Sequence, residues 1–140
     1  SDHEETSRLV RSACFFAPIP NYPEQELAPI DRVPYLYHTH EATDIHGRPT
    51  PIGFVVDISS VQELKERMVA CHASQRDWLR AHHGTDDYIL SMYERDAEAG
   101  RRAGIAAGEG FCQHLGRGYP HRNVIAEALG DAVRGNIIGP

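Results

Sequence analysis

One stretch constrains this chain more than any other: Phe54 to Leu79, FVVDISSVQELKERMVACHASQRDWL. It opens on Phe54-Val55-Val56-Asp57-Ile58, a β-branched and aromatic run that predicts a buried strand. Ser59-Ser60 ends the run, and Ser60 with Glu63 three residues later predicts a capping box. Apolar residues then recur at Val61, Leu64, Met68, Cys71, Trp78 and Leu79, three, four or seven apart. That spacing predicts one long helix with a core-facing stripe. A strand running directly into an amphipathic helix is the unit of an α/β fold.

With 140 residues the chain is long enough for one domain and too short for two. A formal net charge of −6 argues against a nucleic-acid partner, because phosphate contacts require clustered Lys and Arg. The longest apolar stretch, Ala13 to Pro20, is short and broken by proline, which predicts no membrane span. Cys14, Cys71 and Cys112 are odd in number and scattered. They predict buried free thiols in a reducing compartment, and with no visible signal peptide the expectation is a cytoplasmic protein.

In chain order, Ser1 to Ala17 predicts a helix, with Glu4 and Glu5 in its first turn and Leu9, Val10, Ala13, Cys14 and Phe16 as its apolar face. Five prolines between Pro18 and Pro34 predict an extended link. Tyr35 to Thr39 predicts a second strand. His40 to Gly53 is a polar loop long enough to act as a lid or binding loop. His82-His83-Gly84 ends the central helix, and another is expected from about Asp87 to Ala107, with a glycine-rich far end. Its predicted apolar side carries Ile89, Met92, Tyr93, Ala97 and Ala103. The chain then loosens through Gly116 to Pro120 before a short helix from about Asn123 to Leu129. Only two strands are expected against four helical segments, and two parallel strands do not make a stable sheet.

Four stretches in order carry a resemblance. Ser1-Asp2-His3 matches the last three positions of a His-x-Asp-His motif at a helix start. Residues 33–40 resemble a strand that follows a proline-rich link. Asp57-Ile58-Ser59 with His72-x-Ser74-Gln75 keeps order and spacing, and Gly104-x-x-x-Gly108-Glu109-Gly110-Phe111 resembles a G-x-x-x-A-E-x-F segment. Together they resemble the C-terminal half of the LmbE/PIG-L family of metal-dependent sugar de-N-acetylases. Gly108 stands where that family usually has Ala, and Ala107 where it often has Tyr.

The resemblance implies an α/β fold in which residues 1–140 form a single incomplete domain, the C-terminal part of a Rossmann-like LmbE-type domain. A missing N-terminal segment carrying a His-x-Asp-Asp motif would complete it. It implies Zn²⁺, or another divalent metal, with His3 as ligand and Asp2 as the catalytic carboxylate that orients a histidine ahead of Ser1. The reaction implied is hydrolysis of an N-acetyl group from an N-acetylglucosamine-type sugar or glycoconjugate, and a homo-oligomer is possible. His40, at the head of the polar loop, and Glu109 are the expected substrate contacts; for Glu109, pinning a helix end is the equal alternative. Two other readings compete. One is a non-catalytic scaffold or interaction module of the same fold without metal. The other is a separate histidine metal site at His38, His40 and His46, since alternate residues of a strand share a face.

Overall fold

The structure is a computed structural model that describes the whole chain except residues 1, 22–27, 41, 42, 45, 49, 85, 86 and 136–140. Among the described residues the elements are α1 (Asp2–Phe16), β1 (Tyr37–Thr39), β2 (Phe54–Asp57), α2 (Gln62–Ala70), α3 (Ala73–His83), α4 (Asp87–Ala103), β3 (Gly108–Gln113), α5 (Val124–Leu129) and β4 (Val133–Arg134). The chain is therefore mixed α/β, with a four-stranded antiparallel sheet in the order β1-β3-β2-β4. The predicted link over Pro18 to Pro34 and the predicted loop over His40 to Gly53 lie partly outside the described residues. No helix among them is long and apolar enough to cross a membrane.

The chain divides into two compact units. One holds residues 1–38 and 113–124, the other 39–112 and 125–140. In the second unit β2 pairs antiparallel with β3, Phe54 opposite Phe111 and Val55 opposite Gly110. It pairs antiparallel with β4 on its other side. The Phe54 and Phe111 rings stack with centroids 5.7 Å apart. Helix α4 packs against β2 and also meets α2 and α3. Val55, Ile52 and Ala99 are buried together, with Ala103 and Ile105 against them. The buried stripe of α4 runs Met92, Asp96, Ala99, Gly100, at helical spacing. It shares only Met92 with the predicted stripe, whose Ile89, Tyr93, Ala97 and Ala103 are half-buried, and it admits an aspartate.

Several expectations are corrected here. The glycine-rich end of the predicted helix is not helical: α4 stops at Ala103, and Gly108 to Gln113 is the central strand β3. The sheet is accordingly antiparallel. The capping box at Ser60 does not form, because α2 is capped at Val61 with no side-chain hydrogen bond. The long helix breaks at His72, whose ψ of 56° leaves the helical region. Cys71 and His72 close the first segment with N–H bonds to Met68 and Val69 carbonyls, a tight 3₁₀-type ending. The break lets α2 and α3 each meet α4. The expected core stripe is exposed, with Val61, Leu64 and Met68 at 45%, 48% and 64%. Cys71 is exposed as well, and Cys14 and Cys112 are half-buried and in no disulfide. On α1 no side chain is fully buried.

Small residues permit the turn from α4 into β3. A Cβ on Gly108 would overlap Cγ1 of the fully buried Val55 and approach Gly100 N at 3.4 Å, and one on Gly100 would stand 2.8 Å from the Ile105 carbonyl oxygen. The entry to β3 is clamped by the loop after β2. Ile58 N–H donates to the Ala107 carbonyl (3.1 Å), and Ala107 N–H donates to Ser59 Oγ (3.1 Å). Ser59 N–H in turn donates to Asp57 Oδ1 (3.0 Å).

In the first unit, Tyr119 hydroxyl donates to the Arg11 carbonyl at 2.5 Å, tying the 113–124 segment to α1. Gly118, at φ 89°, brings the backbone against the Phe15 ring. Tyr37 hydroxyl accepts from Val124 N–H (3.0 Å) and donates to Asn123 Oδ1 (3.3 Å).

Two outcomes follow from this packing. Gly108→Ala is expected to destabilise the protein by about 1–3 kcal/mol through overpacking against Val55, read from chemical denaturation. Hydrogen bonds from Ser59, and then the positive charge of Arg134, hold the Asp57 carboxyl below the usual 3.8. Its folded pKa is depressed, so its contribution to stability is full above the ordinary aspartate range and is lost as pH falls through the folded value. Ser59→Ala should move the Asp57 titration upward in an NMR pH series; an unmoved midpoint would refute the role given to Ser59.

Candidate functional site

The second unit contains a cavity of about 280 Å³. Its polar lining includes Lys65, Tyr88, Arg95, Asp96, Glu109 and His40, with Met92, Ala99 and Phe111 among the apolar wall. Each element contributes for a local reason. Helix α4 brings Asp96 on its buried stripe. Helix α2 turns Lys65 toward it, and β3 presents Glu109 opposite Val56 of β2.

Lys65 stands between two carboxylates, its Nζ 2.5 Å from Asp96 Oδ1 and 2.6 Å from Glu109 Oε1. The Asp96 side chain is 3% exposed, against 24% for Lys65 and 38% for Glu109. A carboxylate that deep in the protein stays charged only with a cation beside it, so Lys65 is fixed chiefly by Asp96. Gln62 Nε2 adds a long contact to Asp96 at 3.5 Å. Next to this group, Tyr93 hydroxyl donates to Glu66 Oε2 at 2.6 Å, which raises the Tyr93 pKa. His40 is held by its N–H to the Gly110 carbonyl (2.9 Å) and by a 3.0 Å hydrogen bond between its Nδ1 and Thr50 Oγ1. The backbone of Gly110 lies so close that an added Cβ would be 2.9 Å from the His40 Cβ.

Of the four residues singled out from the sequence, His40 and Glu109 line this one cavity. Asp2 and His3 lie in the other unit, in the first turn of α1, with side chains 92% exposed. Asp2 Oδ1 accepts the His3 backbone N–H at 3.0 Å and is 4.0 Å from His3 Nε2. A catalytic zinc takes three protein ligands. Among the described residues no group of three His, Cys, Asp or Glu side chains is placed to hold a metal ion, so His3 would bring a single donor. The residues present do not by themselves make the implied metal site. The alternative set of His38, His40 and His46 does not assemble either. His38 faces His114, His40 lines the cavity, and His46 sits in an exposed turn where its N–H donates to Asp44 Oδ1.

The residues missed from the sequence are Lys65 and Asp96. The signal was there: an aspartate four residues after Met92 and three before Ala99 occupies a core position and demands a cation. No family model and no solved structure matches this chain.

Removing Lys65 strands a buried charge. Lys65→Met is expected to cost about 3–5 kcal/mol of stability, whereas Glu109→Gln at the half-exposed end should stay within about 1 kcal/mol. Urea denaturation of both variants separates the two roles, and equal losses would remove the distinction drawn between the carboxylates.

Proposed function

We propose that this chain is the substrate-holding part of a metal-dependent N-deacetylase acting on an N-acetylglucosamine-type sugar or glycoconjugate, in a Rossmann-like LmbE-type domain. The observation that carries the reading is that His40 and Glu109, picked out from the sequence as substrate contacts, line the same cavity with Lys65, Arg95 and Tyr88. A volume of about 280 Å³ lies at the small end of ligand sites and suits one sugar ring. A lining of donors, acceptors and apolar side chains suits hydroxyls and an acetamide: Lys65 and Arg95 donate, Glu109 accepts, and His40 and Tyr88 do either.

In this reading His3 would be one ligand of a Zn²⁺ ion, which would supply water activation and Lewis acidity when bound. A polypeptide segment bearing His-x-Asp-Asp brings the further metal donors and the base. Asp2 would orient the catalytic histidine by accepting its second ring N–H. The cavity residues bind and orient the sugar; the Lys65–Asp96 pair keeps Glu109 facing the ligand. A second reading, a scaffold or interaction module without metal, is favoured by the outward apolar residues Val61, Leu64 and Met68.

The test is a titration of N-acetylglucosamine into the chain, followed by NMR, and an acetate-release assay on the protein supplied with the His-x-Asp-Asp segment. Saturable shifts at His40 and Glu109 that Glu109→Ala weakens about tenfold or more, and acetate release that His3→Ala abolishes, are the expected results. A silent cavity at saturating sugar, or undiminished turnover in His3→Ala, overturns the proposal and leaves the scaffold reading.

A further inference from the structure

The first unit carries a cluster that the proposed deacetylase does not use. His38, in β1, and His114, just beyond β3, meet with Nε2 of the first 3.4 Å from Nδ1 of the second. Their rings are 5.5 Å apart between centroids and inclined at 66°. Backbone pairing fixes the approach, because His114 N–H donates to the Leu36 carbonyl at 2.8 Å. The Tyr119 ring packs edge-on against His114 at 4.2 Å, and the Tyr119 hydroxyl is anchored on Arg11. Both imidazoles are therefore positioned before anything binds.

Without a ligand the two nitrogens share one proton: one ring donates, the other presents a lone pair. Moving the donor's proton to its other ring nitrogen leaves a lone pair on each of the two facing nitrogens. Two imidazole nitrogens that bind one tetrahedral zinc at about 2.0–2.1 Å stand about 3.3–3.4 Å apart. The separation here is the bite of such a chelate.

We propose that His38 and His114 form a two-histidine site for a divalent metal of the imidazole-binding class, Zn²⁺, Cu²⁺ or Ni²⁺, with water or a small anion completing the coordination. Imidazole ligands select these ions over Mg²⁺ and Ca²⁺. The site opens beside a hollow lined by Arg11, Ser12, Phe15, Phe16, His114 and Tyr119, so the completing ligands have room. The Arg11 guanidinium on that lining favours an anion among them. The site is independent of the deacetylase reading and uses neither His3 nor His40.

The test is Zn²⁺ added to the chain near neutral pH, with uptake measured by calorimetry and the histidine ring signals followed by NMR. His38 and His114 are expected to shift together while His46 does not. His38→Ala and His114→Ala should each weaken this uptake about tenfold or more, while His3→Ala leaves it unchanged. Mg²⁺ should produce no shift. Ring signals of His38 and His114 that stay in place at millimolar Zn²⁺, or uptake untouched by both substitutions, overturn the site. If either variant fails to fold by circular dichroism, the wild-type ring signals decide.

Discussion

The second unit turns on one buried charge. Asp96 occupies a core position of α4, between Met92 and Ala99, where an apolar residue would ordinarily sit. Its carboxylate requires a cation within contact, and among the described residues Lys65 of α2 supplies it, at 2.5 Å. That single requirement sets how α2 rotates about its axis. The face it turns inward carries Gln62, Lys65, Glu66 and Val69, all half-buried and three or four apart. The apolar residues Val61, Leu64 and Met68 point the other way.

Magnitudes explain why the polar face wins. Turning α2 to bury the apolar stripe would recover about 1.5–3 kcal/mol for each side chain fully covered, and these are already half covered. It would strand Asp96, at about 3–5 kcal/mol. It would also break the Tyr93–Glu66 hydrogen bond, a charged one of about 1.5–3 kcal/mol. The two sides are comparable on hydrophobicity alone, and the electrostatic side prevails once both polar contacts are counted.

Legibility in the sequence follows the same division. Strand β2 was plain because Val55 and its neighbours are β-branched and apolar, and α1 and α4 were plain because their charge and spacing follow helical rules. Strand β3 was hidden because Gly108-Glu109-Gly110 has poor strand propensity; the glycines are there to let α4, Val55 and His40 approach, a tertiary reason that propensity cannot register. The break at His72 contains no Gly or Pro, and α2 and α3 packing on α4 provides its cause. At the site, His40 and Glu109 were reachable as chemistry-bearing residues near loops and strand ends. Asp96 was marked by its spacing from Met92 and Ala99, whereas Lys65 was disguised as an ordinary member of a charged helix, since the sequence does not say which face of α2 turns in. His114 was passed over because its partner, His38, lies 76 residues away and nothing local announces the pair.

The buried charge also shapes what the cavity offers a ligand. Had Asp96 been apolar, Lys65 would be free to swing with its long stem, and its ammonium would cost side-chain entropy each time it bound. Clamped between Asp96 and Glu109, it is already ordered, and two of its three N–H donors are spoken for. One donor is left to meet a ligand, beside the Glu109 oxygen that does not face Lys65. A neutral ligand with adjacent donor and acceptor groups matches that pair without displacing either ion contact. A ligand carboxylate would instead compete with Glu109 for Lys65, at the cost of leaving Glu109 unpaired. The same clamp that stabilises the fold therefore biases the cavity toward hydroxyls and amides at this position.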